Sequence, residues 1–186
     1  MANPTTNLGM ALPSESSLSK IDLINGAFQT LDALFPGGYP VFVGARVYNN
    51  ANISVISATD TLLTFNTERY DTNTIHSTAT NTGRLTFPFA GKWRITGAVR
   101  WAANATGIRL LMICLNGLPG TGIILGADER TNLGASLSPI QQVTADWNVA
   151  ANDYAILVAY QDSGGALNVT FNASYSPEFW CQYLGQ

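Results

Sequence analysis

Alternation of apolar and polar side chains dominates the chain from residue 41 onward. Between Lys92 and Trp101 every second residue is apolar or glycine, and the residues between them are mostly charged or polar. Residues 167–175 repeat the pattern around Leu167, Val169 and Phe171. A period of two is typical of a strand with one buried and one wet face. Further short apolar runs separated by Gly, Asn and Asp turns predict an all-β, antiparallel sandwich.

Two strands break this pattern because they are apolar on both faces. These are Leu110–Leu115 and Tyr154–Tyr160, with sequences LLMICL and YAILVAY. An outer strand of a two-layer sandwich should show one polar face to water, so a second surface is expected to cover them. We predict a neighbouring subunit as that cover; a central strand roofed by its own loops is the alternative. The residues predicted at this subunit interface are Leu111, Ile113, Leu115 and Leu157.

The first 38 residues follow different patterns. Residues 1–17 are Asn, Thr, Pro and Ser with few apolar side chains and predict an extended arm. Residues 18–38 predict a short α-helix that ends at a Pro-Gly-Gly hinge, leaving 39–186 as the head. The apolar spacings of 3 and 4 in the helix fit either a short self-associating stalk, which we favour, or an amphipathic helix packed on its own domain. The stalk interface would consist of Ile21, Ile24, Phe28, Leu31 and Phe35.

Composition removes several functional classes. The chain has 186 residues and a net charge of -3, and 11% of its residues are charged, whereas about 25% is typical of soluble domains. No basic stripe is present to neutralise phosphates, so nucleic acid is not an expected partner. No signal peptide and no long uncharged apolar stretch is found, so synthesis in a cytoplasm without membrane insertion is expected. The two cysteines, Cys114 and Cys181, lie far apart in apolar runs and suggest buried thiols.

The alternating region resembles the C1q-like domain, whose jelly roll is shared with the tumour necrosis factor (TNF) superfamily. The segment Thr82–Ile95, with its Thr-Gly pair, Pro, Gly and aromatic residues, is the clearest match, although Trp93 stands where Tyr is usual. Asn116-Gly117 and Asn152-Asp153-Tyr154 match later parts of the pattern. The resemblance covers about residues 41–186. It implies a ten-stranded jelly roll that forms compact homotrimers.

The first 40 residues resemble the N-terminal section of tailed-bacteriophage fibre and tail-tip proteins. The matching motifs are Thr5-Thr6-Asn7, Gly9, Leu12-Pro13 and Ile21-Asp22-Leu23-Ile24-Asn25. The resemblance implies a virion protein whose residues 1–35 dock onto other structural proteins of the particle, while the head faces outward. The expected function is a homotrimeric tail-tip or fibre protein, located in the virion, that contributes to attachment to a host-surface glycan or protein. A head fibre or capsid decoration protein is the alternative, and a secreted C1q-like lectin is disfavoured by the missing signal.

Residues that could carry chemistry are few. His76 is the only histidine and lies in a Thr- and Asn-rich loop, which favours a solvated loop residue over a catalytic one. Glu68 and Asp71 suggest a structural turn rather than a glycosidase pair. No phosphate loop, nucleophile elbow or metal-ligand spacing is present, so no enzymatic activity, metal or cofactor is predicted. The candidate ligand-contacting positions, all predicted to lie in loops, are Tyr70, His76 and Trp147.

Overall fold

The computed structural model describes residues 3–4, 11–12, 42–131, 134 and 136–186. The chain divides into two units, Met1–Val41 and Phe42–Gln186. In the first unit, strands β1 (Asn3–Pro4) and β2 (Ala11–Leu12) pair antiparallel. The predicted helix and hinge at 18–38, with the proposed stalk residues Ile21, Ile24, Phe28, Leu31 and Phe35, lie outside the described residues. The predicted start of the head at residue 39 lies there too.

Residues 42–186 form two antiparallel sheets. The strands of the front sheet are β3 (Gly44–Tyr48), β6 (Thr67–Asp71), β8 (Gly91–Arg100), β11 (Ile140–Val149) and β14 (Glu178–Gly185). Across the sheet they lie in the order β11-β8-β14-β3-β6. The two longest strands, β8 and β11, pair in register along their whole length, from Gly91 opposite Val149 to Arg100 opposite Ile140.

The back sheet has the order β10-β9-β12, and two short strands, β5 and β7, both pair with the free edge of β12. Its strands are β5 (Thr61–Leu62), β7 (Arg84–Thr86), β9 (Ile108–Leu115), β10 (Ile123–Thr131) and β12 (Tyr154–Gln161). A separate pair is formed by β4 (Ile53–Val55) and β13 (Leu167–Val169). The described residues contain strands and turns and no helix, so the predicted antiparallel sandwich is confirmed and no helix long enough to span a membrane is found among them.

The core lies between the two sheets. The alternation predicted for β8 is confirmed, since Trp93, Ile95 and Val99 are fully buried there. Gly97 shares this face, and a Cβ atom at that position would lie 2.3 Å from Cδ1 of Leu157 on the opposite sheet. Glycine at this position therefore lets the two sheets pack in close contact where β8 crosses β12.

The second predicted strand is shorter than the pattern suggested. Pairing in β13 ends at Val169, although the alternation continues to Tyr175. The Asn172 side chain accepts a hydrogen bond from the backbone N–H of Ser174 at 3.0 Å, and the backbone N–H of Asn172 donates to the carbonyl of Ser176. Asn side chains favour such turns over a ladder, which is why the strand stops before the alternation does.

The assignment of Leu111, Ile113, Leu115 and Leu157 to a subunit interface was wrong. All four belong to the core between the sheets, and none is more than 4% exposed. The outward face of β9 and β12 carries the alternate residues instead. We call these the back-face cluster: Met112, Cys114, Ile156 and Val158, all buried, with Leu110, Tyr154 and Tyr160 packed against them. When both faces of a strand are apolar, the period of two cannot tell the inward face from the outward one.

Candidate functional site

The outward face of the front sheet carries an open groove of about 570 Å³. Side chains that point away from the core on three neighbouring strands, β11, β8 and β14, line this groove. In register, Thr144 lies opposite Thr96, which in turn lies opposite Trp180. The lining residues are Arg94, Thr96, Gln142, Thr144, Asp146 and Trp180. These positions are the polar half of the alternation that buries Trp93 and Ile95 on the other side.

One wall of the groove is an ion pair between β8 and β11. Arg94 donates from Nε and from Nη2 to the two carboxylate oxygens of Asp146, each at 2.8 Å. The hydrogen bonds to Asp146 raise the pKa of the Arg94 guanidinium, and the same bonds lower the pKa of the Asp146 carboxyl. Both side chains are about half exposed, at 52% and 48%, so water screens the attraction. Beside this pair, the hydroxyls of Thr96 and Thr144 are 3.0 Å apart.

The groove continues into a cluster of two arginines around one buried acid, which we call the Glu178 cluster. Glu178 is 1% exposed although it lies on the outward face. Its carboxylate accepts a hydrogen bond from Arg46 Nε at 2.9 Å and one from Arg69 Nε at 2.5 Å. The Arg46 guanidinium lies 4.9 Å from the centre of the Trp180 ring, and the Arg69 guanidinium lies 4.7 Å from that of Tyr48. The cluster holds one more positive than negative charge beside an aromatic surface.

Tyr70 lies at the edge of this face. It is 38% exposed, in register with Arg46, and its ring packs edge-on against Phe42 with the ring centres 5.4 Å apart. Partial burial raises the pKa of the Tyr70 hydroxyl, and nearby Arg46 opposes that shift. Its exposure agrees with the prediction, but the predicted loop position was wrong, because Tyr70 lies on strand β6 beside the Glu178 cluster.

The expectation of a solvated His76 was wrong. The side chain of His76 is completely buried. Its Nδ1 lies 2.9 Å from Oε1 of Glu68, and its Nε2 lies 3.1 Å from the carbonyl oxygen of Thr82. These two oxygens hold the ring against β6, so it is not available to a ligand at the surface.

Trp147 stands apart from the other candidates. It is 41% exposed, but it lies on edge strand β11, opposite Trp93, and not in a loop as predicted. Strand β10 is the edge of the back sheet on the same side, and its Ile123 is 55% exposed. Towards the other end of these strands the Gln141 side chain bridges the edges by donating to the carbonyl of Asp128 at 2.7 Å. We call the unbridged end with Trp147 and Ile123 the open edge.

Sequence reasoning missed the Glu178 cluster. Its signal was a glutamate inside the otherwise apolar run of the last strand, together with the arginines Arg46 and Arg69 in strands that pair beside it. The groove and cluster supply hydrogen-bond donors, hydroxyls and an indole. Within the described ranges no group of three His, Cys, Asp or Glu residues could hold a metal ion. Burial raises the pKa of Cys114 to about 11 and that of Cys181 to about 12, which makes both thiols poor nucleophiles.

Comparison with known proteins shows the fold. No protein-family model matches the chain, and no curated protein matches its sequence. Among solved structures, murine APRIL at pH 5.0 is similar at a TM-score of 0.59 and 8% identity, covering 77% of this chain and 100% of that one. Eiger TNF from S. frugiperda is similar at a TM-score of 0.55 and 10% identity, covering 78% of this chain and 94% of that one. The chain thus contains a TNF-like jelly roll, as the sequence predicted.

Proposed function

We propose that this chain is a homotrimeric structural protein of a tailed-phage particle and that its TNF-like head contributes to host-surface attachment. The observation that carries the proposal is the TNF-like jelly roll of residues 42–186. In the sequence it follows an N-terminal section that resembles those of phage fibre and tail-tip proteins. On this reading, residues 1–35 anchor the protein to other virion proteins and the head projects from the particle.

Exposed apolar side chains support self-association of the head. The core placement of Leu111 and Leu157 leaves the interface to other residues. The open edge exposes Trp147 and Ile123, and aromatic side chains of this kind are enriched in the cores of subunit interfaces. A homotrimer, which the C1q-like resemblance implies, would bury these side chains against a neighbouring copy.

The groove of the front sheet supports ligand contact. Its arginine, carboxylate, amide and hydroxyl groups are those that pair with sugar hydroxyls, and Trp180 offers an apolar ring beside them. The Arg94–Asp146 pair is charge-balanced, which suits a neutral glycan at the groove itself, and the adjoining Glu178 cluster adds one net positive charge. Three equal sites on one particle protein would multiply a weak affinity for a repetitive cell envelope.

Binding of the labelled full-length protein to host cells and to purified envelope glycans tests this proposal. The groove variant replaces Arg94 and Asp146 with alanine. The control replaces a second arginine–aspartate pair away from the groove, Arg130 and Asp128 on β10, whose nitrogen and oxygen lie 2.8 Å apart and whose side chains are 45% and 20% exposed. We expect saturable binding that blocks infection, a loss of about tenfold or more in the groove variant, and wild-type binding in the control.

The outcomes separate the parts of the proposal. Light scattering that gives a monomer mass would contradict the trimer. A folded trimer that binds neither cells nor glycans would contradict attachment and favour the head fibre or decoration alternative. Antibody labelling of particles would then show whether the protein lies at the tail tip or on the capsid.

A further inference from the structure

Basic side chains collect on the outward face of the front sheet. Among the strand residues that the structure describes, five of the chain's nine basic residues and two of its twelve acidic residues lie there. The basic residues are Arg46, Arg69, Lys92, Arg94 and Arg100, and the acidic residues are Asp146 and Glu178. This face therefore has a surplus of positive charge on a chain whose net charge is -3. The sequence shows no basic run because three different strands supply these side chains.

The two arginines of the Glu178 cluster keep hydrogen-bond donors for a further acceptor. Arg46 donates from Nε and Nη2 to Glu178. Arg69 donates from Nε to Glu178 and from Nη2 to the carbonyl oxygen of Ala173. Within the part of the chain that the structure describes, Nη1 of each arginine has no partner. The arginine side chains are 36% and 32% exposed and Glu178 lies beneath them at 1%, so each can donate to a ligand without releasing Glu178.

Both guanidinium groups are fixed before any ligand arrives. Glu178 holds the two of them from below, and the rings of Trp180 and Tyr48 lie 4.9 Å and 4.7 Å from the guanidinium of Arg46 and of Arg69 respectively. Donors that are already ordered lose little conformational entropy on binding. The planar guanidinium group matches the two oxygens of a carboxylate. The Glu178 cluster is therefore a preformed site for a carboxylate, in which Glu178 is the positioning residue.

This site is aligned with the groove. One row of residues runs in register across all five strands of the front sheet: Thr144, Thr96, Trp180, Arg46 and Tyr70. Neighbouring strands lie about 4.8 Å apart, so Arg46 lies about 10 Å from Thr96 along the row. Trp180 lies between them, lining the groove on one side and packing against Arg46 on the other. A short oligosaccharide can span this distance and contact both sites at once.

We propose that the ligand of the front face is an acidic glycan. The inference rests on the attachment function proposed above and names the ligand class of that same face. The carboxylate of an acidic sugar accepts hydrogen bonds from Arg46 and Arg69, while the hydroxyls of the next sugar contact the groove. Lys92 and Arg100, at the two ends of β8, add attraction at longer range.

The placement of the acidic groups favours a glycan over a nucleic acid. A nucleic acid would bring a phosphate to the face at every nucleotide. Asp146 is 48% exposed in the groove, beside the neutral hydroxyls of Thr96 and Thr144, and it would repel such a chain. An acidic glycan can place a neutral sugar at this point and its carboxylate at the arginines.

Binding of the full-length protein to the host's purified envelope glycans tests the ligand class. The glycans are used intact and after chemical reduction of their carboxylates to alcohols, which keeps the sugar chain and removes that charge. We expect the wild type to bind the intact glycans about tenfold or more tightly than the reduced ones, and this preference to shrink as salt is raised. Arg69→Gln should lose most of the preference. The control Arg84→Gln, which removes a positive charge from the back sheet, should keep it.

Each outcome bears on one part of the inference. Equal affinity of the wild type for intact and reduced glycans would overturn the acidic class and leave attachment standing, and this reading needs no variant. A folded Arg69→Gln protein that keeps the full preference would overturn the Glu178 cluster as the site. Displacement of the glycan by a lower concentration of a DNA oligonucleotide than of the free intact glycan would overturn the choice of glycan over nucleic acid. Binding to neither cells nor intact glycans would contradict the attachment function itself.

Discussion

The outward faces of the two sheets use opposite chemistry. On the back sheet, Met112, Cys114, Ile156 and Val158 form a buried apolar cluster. On the front sheet, the corresponding surface is built from ion pairs, with Glu178 buried beneath two arginines and Arg94 paired to Asp146 in the open. The back sheet is therefore apolar on both sides, and the front sheet is apolar on its inner side only.

The two outward faces differ in how much they contribute to stability and in how readily their side chains can contact a ligand. Burial of apolar side chains contributes roughly 25 cal/mol for each Å² removed from water, so the back sheet gains from both of its faces. The half-exposed Arg94–Asp146 pair adds little to folding because water screens it. Groups that contribute little to folding can exchange partners without unfolding the head, which suits the front face for reversible contact with a ligand.

The largest expected effect is that of Leu157→Asp. The carboxylate would be buried between the sheets, against Gly97, with no partner for its charge. We expect the free energy of unfolding to fall by about 4 kcal/mol or more, with loss of the folded head rather than conversion to a folded monomer. Urea denaturation with light scattering measures both quantities. A stable, monomeric head would contradict the core placement and restore this residue to a subunit interface.

The contrast between the sheets also shows what could be predicted from sequence. Strand β8 alternates between apolar and charged residues, so both its existence and its buried face followed from the pattern, and Trp93, Ile95 and Val99 are buried as predicted. In β9 and β12 both faces are apolar, so the pattern predicted the two strands but not which face of each lies in the core. Leu111 and Met112 differ little in hydrophobicity, and only the position of the opposite sheet distinguishes them.

The candidate site was less predictable because long-range pairing creates it. Glu178 meets Arg46 and Arg69 across sequence separations of 132 and 109 residues, and nothing local in the chain marks that meeting. His76 shows the same limit, because its loop is polar in sequence yet closes over the ring through Glu68 and Thr82. Tyr70 and Trp147 are exposed as expected, but they lie on strands β6 and β11 and not in loops.

Glu178→Gln should have the next largest effect. The amide keeps the shape of the side chain and removes the charge that balances Arg46 and Arg69. Breaking a buried pair costs about 3–5 kcal/mol, and because both guanidinium groups reach water we expect a loss of about 2 kcal/mol in the free energy of unfolding. Asp146→Asn, on the exposed pair of the same face, is the control and should leave the denaturation midpoint unchanged. Equal effects of the two substitutions would remove the distinction between the Glu178 cluster and the groove.

The smallest effect concerns the two thiols, Cys114 in the back-face cluster and Cys181 in the core. Burial raises the pKa of Cys114 from 9.0 to about 11 and that of Cys181 from 9.0 to about 12. A folded-state pKa above the unfolded value means that the unfolded chain loses the proton first, so stability is complete below pH 9 and declines as the pH rises from there towards 11 or 12. Each thiol should contribute about 1 kcal/mol of this loss per pH unit.

Urea denaturation at about pH 8 and pH 10 tests the two thiols. The free energy of unfolding should decline less in Cys114→Ala and in Cys181→Ala than in the wild type. If the free energy of unfolding of Cys114→Ala declines as steeply as that of the wild type while that of Cys181→Ala does not, water reaches the back-face cluster. The apolar burial that distinguishes the back sheet from the front sheet is then confined to its core side.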